Sequence, residues 1–203
     1  MTMIPRLLPS RVPALILDPI VRVLIALRIT PNVITVVGFL GAAAAAALIA
    51  SGELLIGGIV LLIAGALDLF DGALARATGR AGPVGALLDS TLDRASEAVV
   101  LFGVLLYQLD RGNDEEAALV FVAFAGSFLV SYVRTRAGEL GSEVADGLAT
   151  RPERVVLLAV GLMTGWLRLA LWILAVATVL TALQRLVIAI GALRRGQSTE
   201  GGD

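Results

Sequence analysis

The chain has 203 residues, 58% of them hydrophobic, and a mean hydropathy of +0.91, which excludes an ordinary soluble domain and points to membrane spans. It contains neither cysteine nor histidine. Disulfides, thiol nucleophiles and thiolate or imidazole ligation are therefore excluded, and any metal site must use oxygen ligands that suit hard cations. The net charge of −1 gives no field that would draw nucleic acid.

Residues 1–13 carry Arg6 and Arg11 without the long apolar core of a cleavable signal, so none is expected. Pro13 to Arg28 follows with Leu15, Ile16, Pro19, Ile20, Val23, Leu24 and Leu27 on one helical stripe, and Arg22 and Arg28 off it. That pattern predicts an amphipathic helix lying in the membrane interface. Six spans of about 20 residues are then expected, as a bilayer requires. Their limits are Val33 to Ser51, Leu54 to Ala77, Val84 to Leu109, Glu116 to Arg136, Pro152 to Gly165 and Leu169 to Leu193. The expected class is thus an all-α membrane protein with six transmembrane helices after a cytoplasmic-side interfacial helix. Its units are an N-terminal segment (1–32), a six-helix transmembrane bundle (33–195) and a polar tail (196–203). Arginines gather in the N-terminal segment, the 77–83 turn, the 137–151 loop and the tail, whereas the loops at 51–53 and 110–116 are acidic. By the positive-inside rule both termini face the cytoplasm of a cell membrane crossed several times.

The second and third spans hold Asp68, Asp71, Asp89 and Asp93. Ionisable groups inside spans are costly and usually functional. Asp68 and Asp71 are i,i+3 on one helix, and Asp89 and Asp93 are i,i+4 on the next. The turn at 78–83 joins the two. At 1.5 Å per residue, Asp71 and Asp89 lie about 8–9 Å inside the helix ends, and Asp68 and Asp93 about 13–14 Å. An antiparallel hairpin would set the four at two matched levels, facing one another. Four carboxylates in a low-dielectric site need protons or cations to neutralise them. Two divalent ions, Mg²⁺ or Mn²⁺, would clamp a diphosphate for in-line attack. Gly72, Ala75 and Gly85 leave room for a ligand beside these residues. A small cation or proton transporter is the rival class. It needs polar residues continuing to the acidic face, yet Leu54 to Leu67 and Val99 to Leu106 are apolar.

The spacing D-x2-D-G-x2-A-R-x8-G-x3-D-x3-D, filled by Asp68, Asp71, Gly72, Ala75, Arg76, Gly85, Asp89 and Asp93, resembles the signature of the CDP-alcohol phosphatidyltransferase family. The resemblance implies transfer of a phosphatidyl group from CDP-diacylglycerol to a polar alcohol, with CMP leaving. It implies that Asp68, Asp71 and Asp89 hold the cations and that Asp93 deprotonates the acceptor and may also touch a metal. Upstream, Pro31, Asn32 and Thr35 resemble the family's Pro-Asn-x-x-Thr segment, which lies against the CDP moiety. Thr30 and Pro31 also read as ordinary N-cap and first-turn residues. The expected CDP-lipid site is therefore Pro31, Asn32, Thr35, Asp68, Asp71, Gly72, Ala75, Arg76 and Gly85. The resemblance also implies a homodimer, for which the small-residue run Gly41 to Ala47 allows close packing.

Ser131-Tyr132-Val133-Arg134-Thr135-Arg136-Ala137 and Arg151-Pro152-Glu153-Arg154 resemble segments of family members whose acceptor is an inositol phosphate. Thr135 and Gly138 depart from that pattern, and Gln184-Arg185 resembles a further pair. Arginine forks suit phosphate, so Ser131, Arg134, Arg136, Arg151 and Arg154 are expected to bind an acceptor that carries its own phosphate. A positive-inside bias alone would also place arginines there. The implied acceptor is inositol 1-phosphate, giving phosphatidylinositol phosphate. The rival is glycerol 3-phosphate, giving phosphatidylglycerophosphate.

Overall fold

The computed structural model describes residues 14–142 and 150–200, with side chains between 19 and 195. Seven helices lie in the described residues: α1 (Ala14–Ala26), α2 (Pro31–Ala50), α3 (Leu54–Ala77), α4 (Pro83–Asp110), α5 (Asp114–Glu139), α6 (Arg151–Thr164) and α7 (Leu167–Glu200). Local chemistry sets their limits. Thr30 and Gly82 are extended, and each precedes a proline that opens a helix, because proline's missing N–H costs nothing in the first turn. Thr150 and Glu153 form a capping box at the start of α6, with the Thr150 N–H and hydroxyl 2.7 and 2.9 Å from Glu153 Oε2. Gly165, at φ 79°, ends α6 in the left-handed region, which glycine enters without a Cβ penalty.

Every expected span is helical. Four helices, α2, α3, α5 and α7, are long and apolar enough to cross a membrane, so this is a multi-pass membrane protein. The other two differ for physical reasons. α4 carries Asp89, Asp93, Arg94 and Glu97 within 28 residues, and α6 has only 14, about 21 Å at the helical rise. α7 runs on to Glu200, past the expected end at Leu193 and into the expected tail. The expectations for residues 1–13, 143–149 and 201–203 lie outside the described residues.

The helices close into a ring: α2 packs on α3 and α4, α4 on α5, α5 on α7, α7 on α6, and α6 on α3. Consequently α3 and α4, joined by a short turn, make no close backbone contact among the described residues. This corrects the expected hairpin of directly packed helices. Small residues make the ring tight. A Cβ on Gly103 of α4 would strike the Ala46 backbone of α2, and one on Gly126 of α5 would strike Thr178 of α7. Inside lie Ile49, Leu61, Val104, Val120, Leu158 and Leu171.

α1 packs against α3 through Val21 and Leu24, which meet a small cluster with Ile34 and Leu74. Val21 was outside the expected apolar stripe. Within that stripe, Ile20, Val23 and Leu27 are exposed, Leu27 by 65%. The helix therefore has a protein-facing edge and a separate apolar edge turned outward.

Candidate active site

The carboxylates sit at the end of the ring where α3 ends and α4 begins. Asp71 is 6% exposed. Its Oδ2 accepts a hydrogen bond from Thr35 Oγ1 at 2.9 Å, and its Oδ1 lies 2.5 Å from the Gly72 N–H. Thr35 is buried, and its hydroxyl is also 3.2 Å from the Pro31 carbonyl. The Thr35 side chain thus braces an aspartate. Asp71, Asp89 and Asp93 lie within electrostatic range of one another. Arg76 is exposed and lies across Gly72, with Nη1 3.3 Å from where a Cβ would stand, and it acts on Asp71 electrostatically. Gly38 keeps the space beside Asp68 open: its Cβ would stand 3.5 Å from Asp68 Oδ1.

Asp68 and Asp93 are joined from across the ring. The Arg151 guanidinium, from the first turn of α6, pairs with Asp68 Oδ2 and lies 2.8 Å from Asp93 Oδ1. The matched depth of these two carboxylates is thus bridged by a third helix. Among the described residues no three acidic side chains gather into a metal-ligand shell. With the guanidinium between them, Asp68 and Asp93 bond to arginine. The donor set still fits a divalent cation, since its ligands are carboxylate oxygens. A positive group already lies between carboxylates of two helices.

Toward the chain reversals, Thr30, Pro31, Asn32, Arg80, Gly82, Pro83 and Gly85 line an open cleft of about 390 Å³. The starts of α2 and α4 both border it, and helix N-termini favour anions. Asn32 Oδ1 lies 3.6 Å from where a Gly85 Cβ would be. Of the expected CDP-lipid residues, Pro31, Asn32 and Gly85 therefore share one cleft. On the inner side, a narrow cavity of about 40 Å³ runs from Asp68, Glu97, Arg151 and Arg154 to apolar walls that include Leu61, Val100 and Leu158.

The arginines expected to bind an acceptor divide into three groups. Arg151 is at the aspartates. Arg154 is buried and pairs with Glu97, its Nε 2.7 Å from Oε1 and its Nη2 3.0 Å from Oε2. Arg134 and Arg154 both lie within electrostatic range of Arg185, which is 4% exposed and donates to the Val130 carbonyl at 2.9 Å. Arg136 is exposed and pairs with Glu139 at 2.8 Å, so it is not among them. Ser131 is half-buried on α5, next to the exposed Tyr132. Glu97 and Ser127 were not anticipated, although Glu97 extends the Asp89, Asp93 series by another i,i+4 step along α4.

Fold and site together define a multi-pass helical membrane protein with an acidic, arginine-bridged centre at one end of its ring. Residues 28–191 match the CDP-alcohol phosphatidyltransferase family. The chain belongs to that family and is a transferase of that kind. Archaetidylinositol phosphate synthase of Pyrococcus horikoshii is 37% identical over 186 residues, covering 89% of this chain and 94% of the relative. Phosphatidylinositol phosphate synthase of Corynebacterium glutamicum is 36% identical over 193 residues, covering 90% and 88%. Among solved structures, Mycobacterium tuberculosis phosphatidylinositol phosphate synthase with CDP-DAG bound is similar with a TM-score of 0.80 at 32% identity, covering 87% of this chain and 94% of that one. The same enzyme with manganese and citrate gives a TM-score of 0.77 at 32% identity, covering 84% and 87%.

Proposed function

We propose that this protein transfers the phosphatidyl group of CDP-diacylglycerol to inositol 1-phosphate, giving phosphatidylinositol phosphate and CMP. The observation that carries this reading is the position of Arg151. Its guanidinium reaches Asp68 and Asp93, so the arginine-rich start of α6 lies beside the carboxylates. An acceptor that brings its own phosphate would find positive charge within reach of the reacting phosphorus. The inositol phosphate synthases among the relatives support the choice of acceptor.

Divalent cations, two of Mg²⁺ or Mn²⁺, would supply charge neutralisation on the diphosphate and polarise its phosphorus. The manganese-bound relative supports this. Asp68, Asp71 and Asp89 would hold them, with Thr35 fixing Asp71. The cleft at Asn32 and Gly85 would take the cytidine end. Asp93 would accept the proton of the attacking hydroxyl. The new phosphorus–oxygen bond forms as the bond to CMP breaks, so no covalent enzyme intermediate is needed. Six crossings, α1 at the interface, a cytoplasm-facing site in the cell membrane and a homodimer complete the proposal. The experiment is CMP release from CDP-diacylglycerol with inositol 1-phosphate, glycerol 3-phosphate, inositol and serine side by side. Inositol 1-phosphate is expected to give the highest kcat/KM. A clear preference for glycerol 3-phosphate would reassign the acceptor, and preference for an unphosphorylated alcohol would overturn the phosphate-binding role of the arginines.

A further inference from the structure

Glu97 is a half-buried carboxylate with no part in the chemistry above. It stands one turn beyond Asp93 on α4, and its side chain is 16% exposed. Both of its oxygens are used. Oε1 accepts from Ser127 Oγ at 2.5 Å and Arg154 Nε at 2.7 Å, and Oε2 accepts from Arg154 Nη2 at 3.0 Å. This two-pronged contact sets the plane of the guanidinium as well as its position. Arg154 itself is 6% exposed. It shares its surroundings with Arg185, which also feels Arg134. Arg154 and Arg185 are both buried, and buried guanidinium groups repel one another unless an anion is built in. Glu97 is a carboxylate bonded to Arg154.

We propose that Glu97 is a positioning residue for the acceptor: it orients the Arg154 guanidinium and offsets its charge, so that Arg154 is held in place to meet the acceptor's phosphate. The inference rests on the acceptor reading given above. A role confined to holding α4, α5 and α6 together would disturb both substrates alike. A positioning role acts on the acceptor alone, and through Arg154.

The test is steady-state CMP release by the full chain in detergent, with the metal, CDP-diacylglycerol and inositol 1-phosphate each varied. Losing a charge-assisted pair predicts that Glu97→Gln raises the acceptor KM about tenfold and leaves that of CDP-diacylglycerol within about twofold. Glu97→Asp, which keeps the charge, recovers most of that loss. In an Arg154→Ala background, Glu97→Gln adds nothing further to the acceptor KM. Equal effects on both substrates, or effects that simply add in the double variant, overturn the proposal. If Arg154→Ala raises the acceptor KM and Glu97→Gln does not, the proposal alone falls. If Arg154→Ala leaves it unmoved, the acceptor reading fails and carries the proposal with it. Should Glu97→Gln not fold, Ser127→Ala keeps the carboxylate and removes one of its hydrogen bonds. That variant is expected to raise the acceptor KM about threefold, and an unchanged value overturns the proposal.

Discussion

Asp93 and Arg151 meet at 2.8 Å, and each has its own consequence. In Asp93→Asn the amide cannot take a proton from the acceptor hydroxyl. General-base contributions of this kind are worth about 10²–10⁴-fold, so kcat is expected to fall by that factor while CDP-diacylglycerol still binds. Titration calorimetry and CMP release check the two halves, and a near wild-type kcat would remove Asp93 as the base. Arg151→Ala takes away the cation nearest the carboxylates. The KM for inositol 1-phosphate is expected to rise about tenfold or more, with no comparable change in the residual rate with unphosphorylated inositol. An equal loss with both acceptors would deny that Arg151 meets a phosphate. The Thr35 hydroxyl holds Asp71 from α2.

At the scale of elements, the important feature is the separation of α3 and α4. Consecutive amphipathic helices with a short turn commonly pack side by side. Here α2 comes between them, because Gly103 lets α4 lie against the Ala46 backbone. Glycine to alanine in a helix ordinarily stabilises by about 1 kcal/mol. At Gly103 the sign is expected to reverse, with a loss of about 1–3 kcal/mol from overpacking. The midpoint of thermal unfolding in detergent should drop for Gly103→Ala. Gly191→Ala is the control, since its Cβ would meet only Arg195 Nη1 at 3.7 Å, and it should not drop. Equal midpoints for the two variants would deny that the α2–α4 contact is tight.

At the scale of the whole molecule, the ring puts the carboxylates at one end and the acidic loop of 110–114 at the other. The chain has no cysteine, so Ala81→Cys and Asp114→Cys each introduce a single thiol. In sealed vesicles, an impermeant maleimide is expected to label them from opposite sides, and labelling from one side would deny that α4 crosses. Chelation of divalent ions should abolish CMP release, with Mg²⁺ or Mn²⁺ restoring it. Helical content by far-UV circular dichroism should be unchanged, because Arg151 continues to neutralise Asp68 and Asp93. Persistent activity in chelator would exclude the metal-assisted reaction.

The chemistry and the helices were legible along the chain. The aspartates at i,i+3 and i,i+4 share a helix face wherever the helix goes, the absence of histidine and cysteine leaves only oxygen ligands, and proline and glycine mark the turns. These are local matters, decided by neighbours within a turn or two. What lies between helices could be settled only by packing. Thr35 finds Asp71 across 36 residues and Arg154 finds Glu97 across 57, and Arg151 crosses the ring to two aspartates. Periodicity gives each helix a face but does not name the helix opposite. That choice falls to shape complementarity at small residues such as Gly103 and Gly126, which exists only once the whole ring has closed.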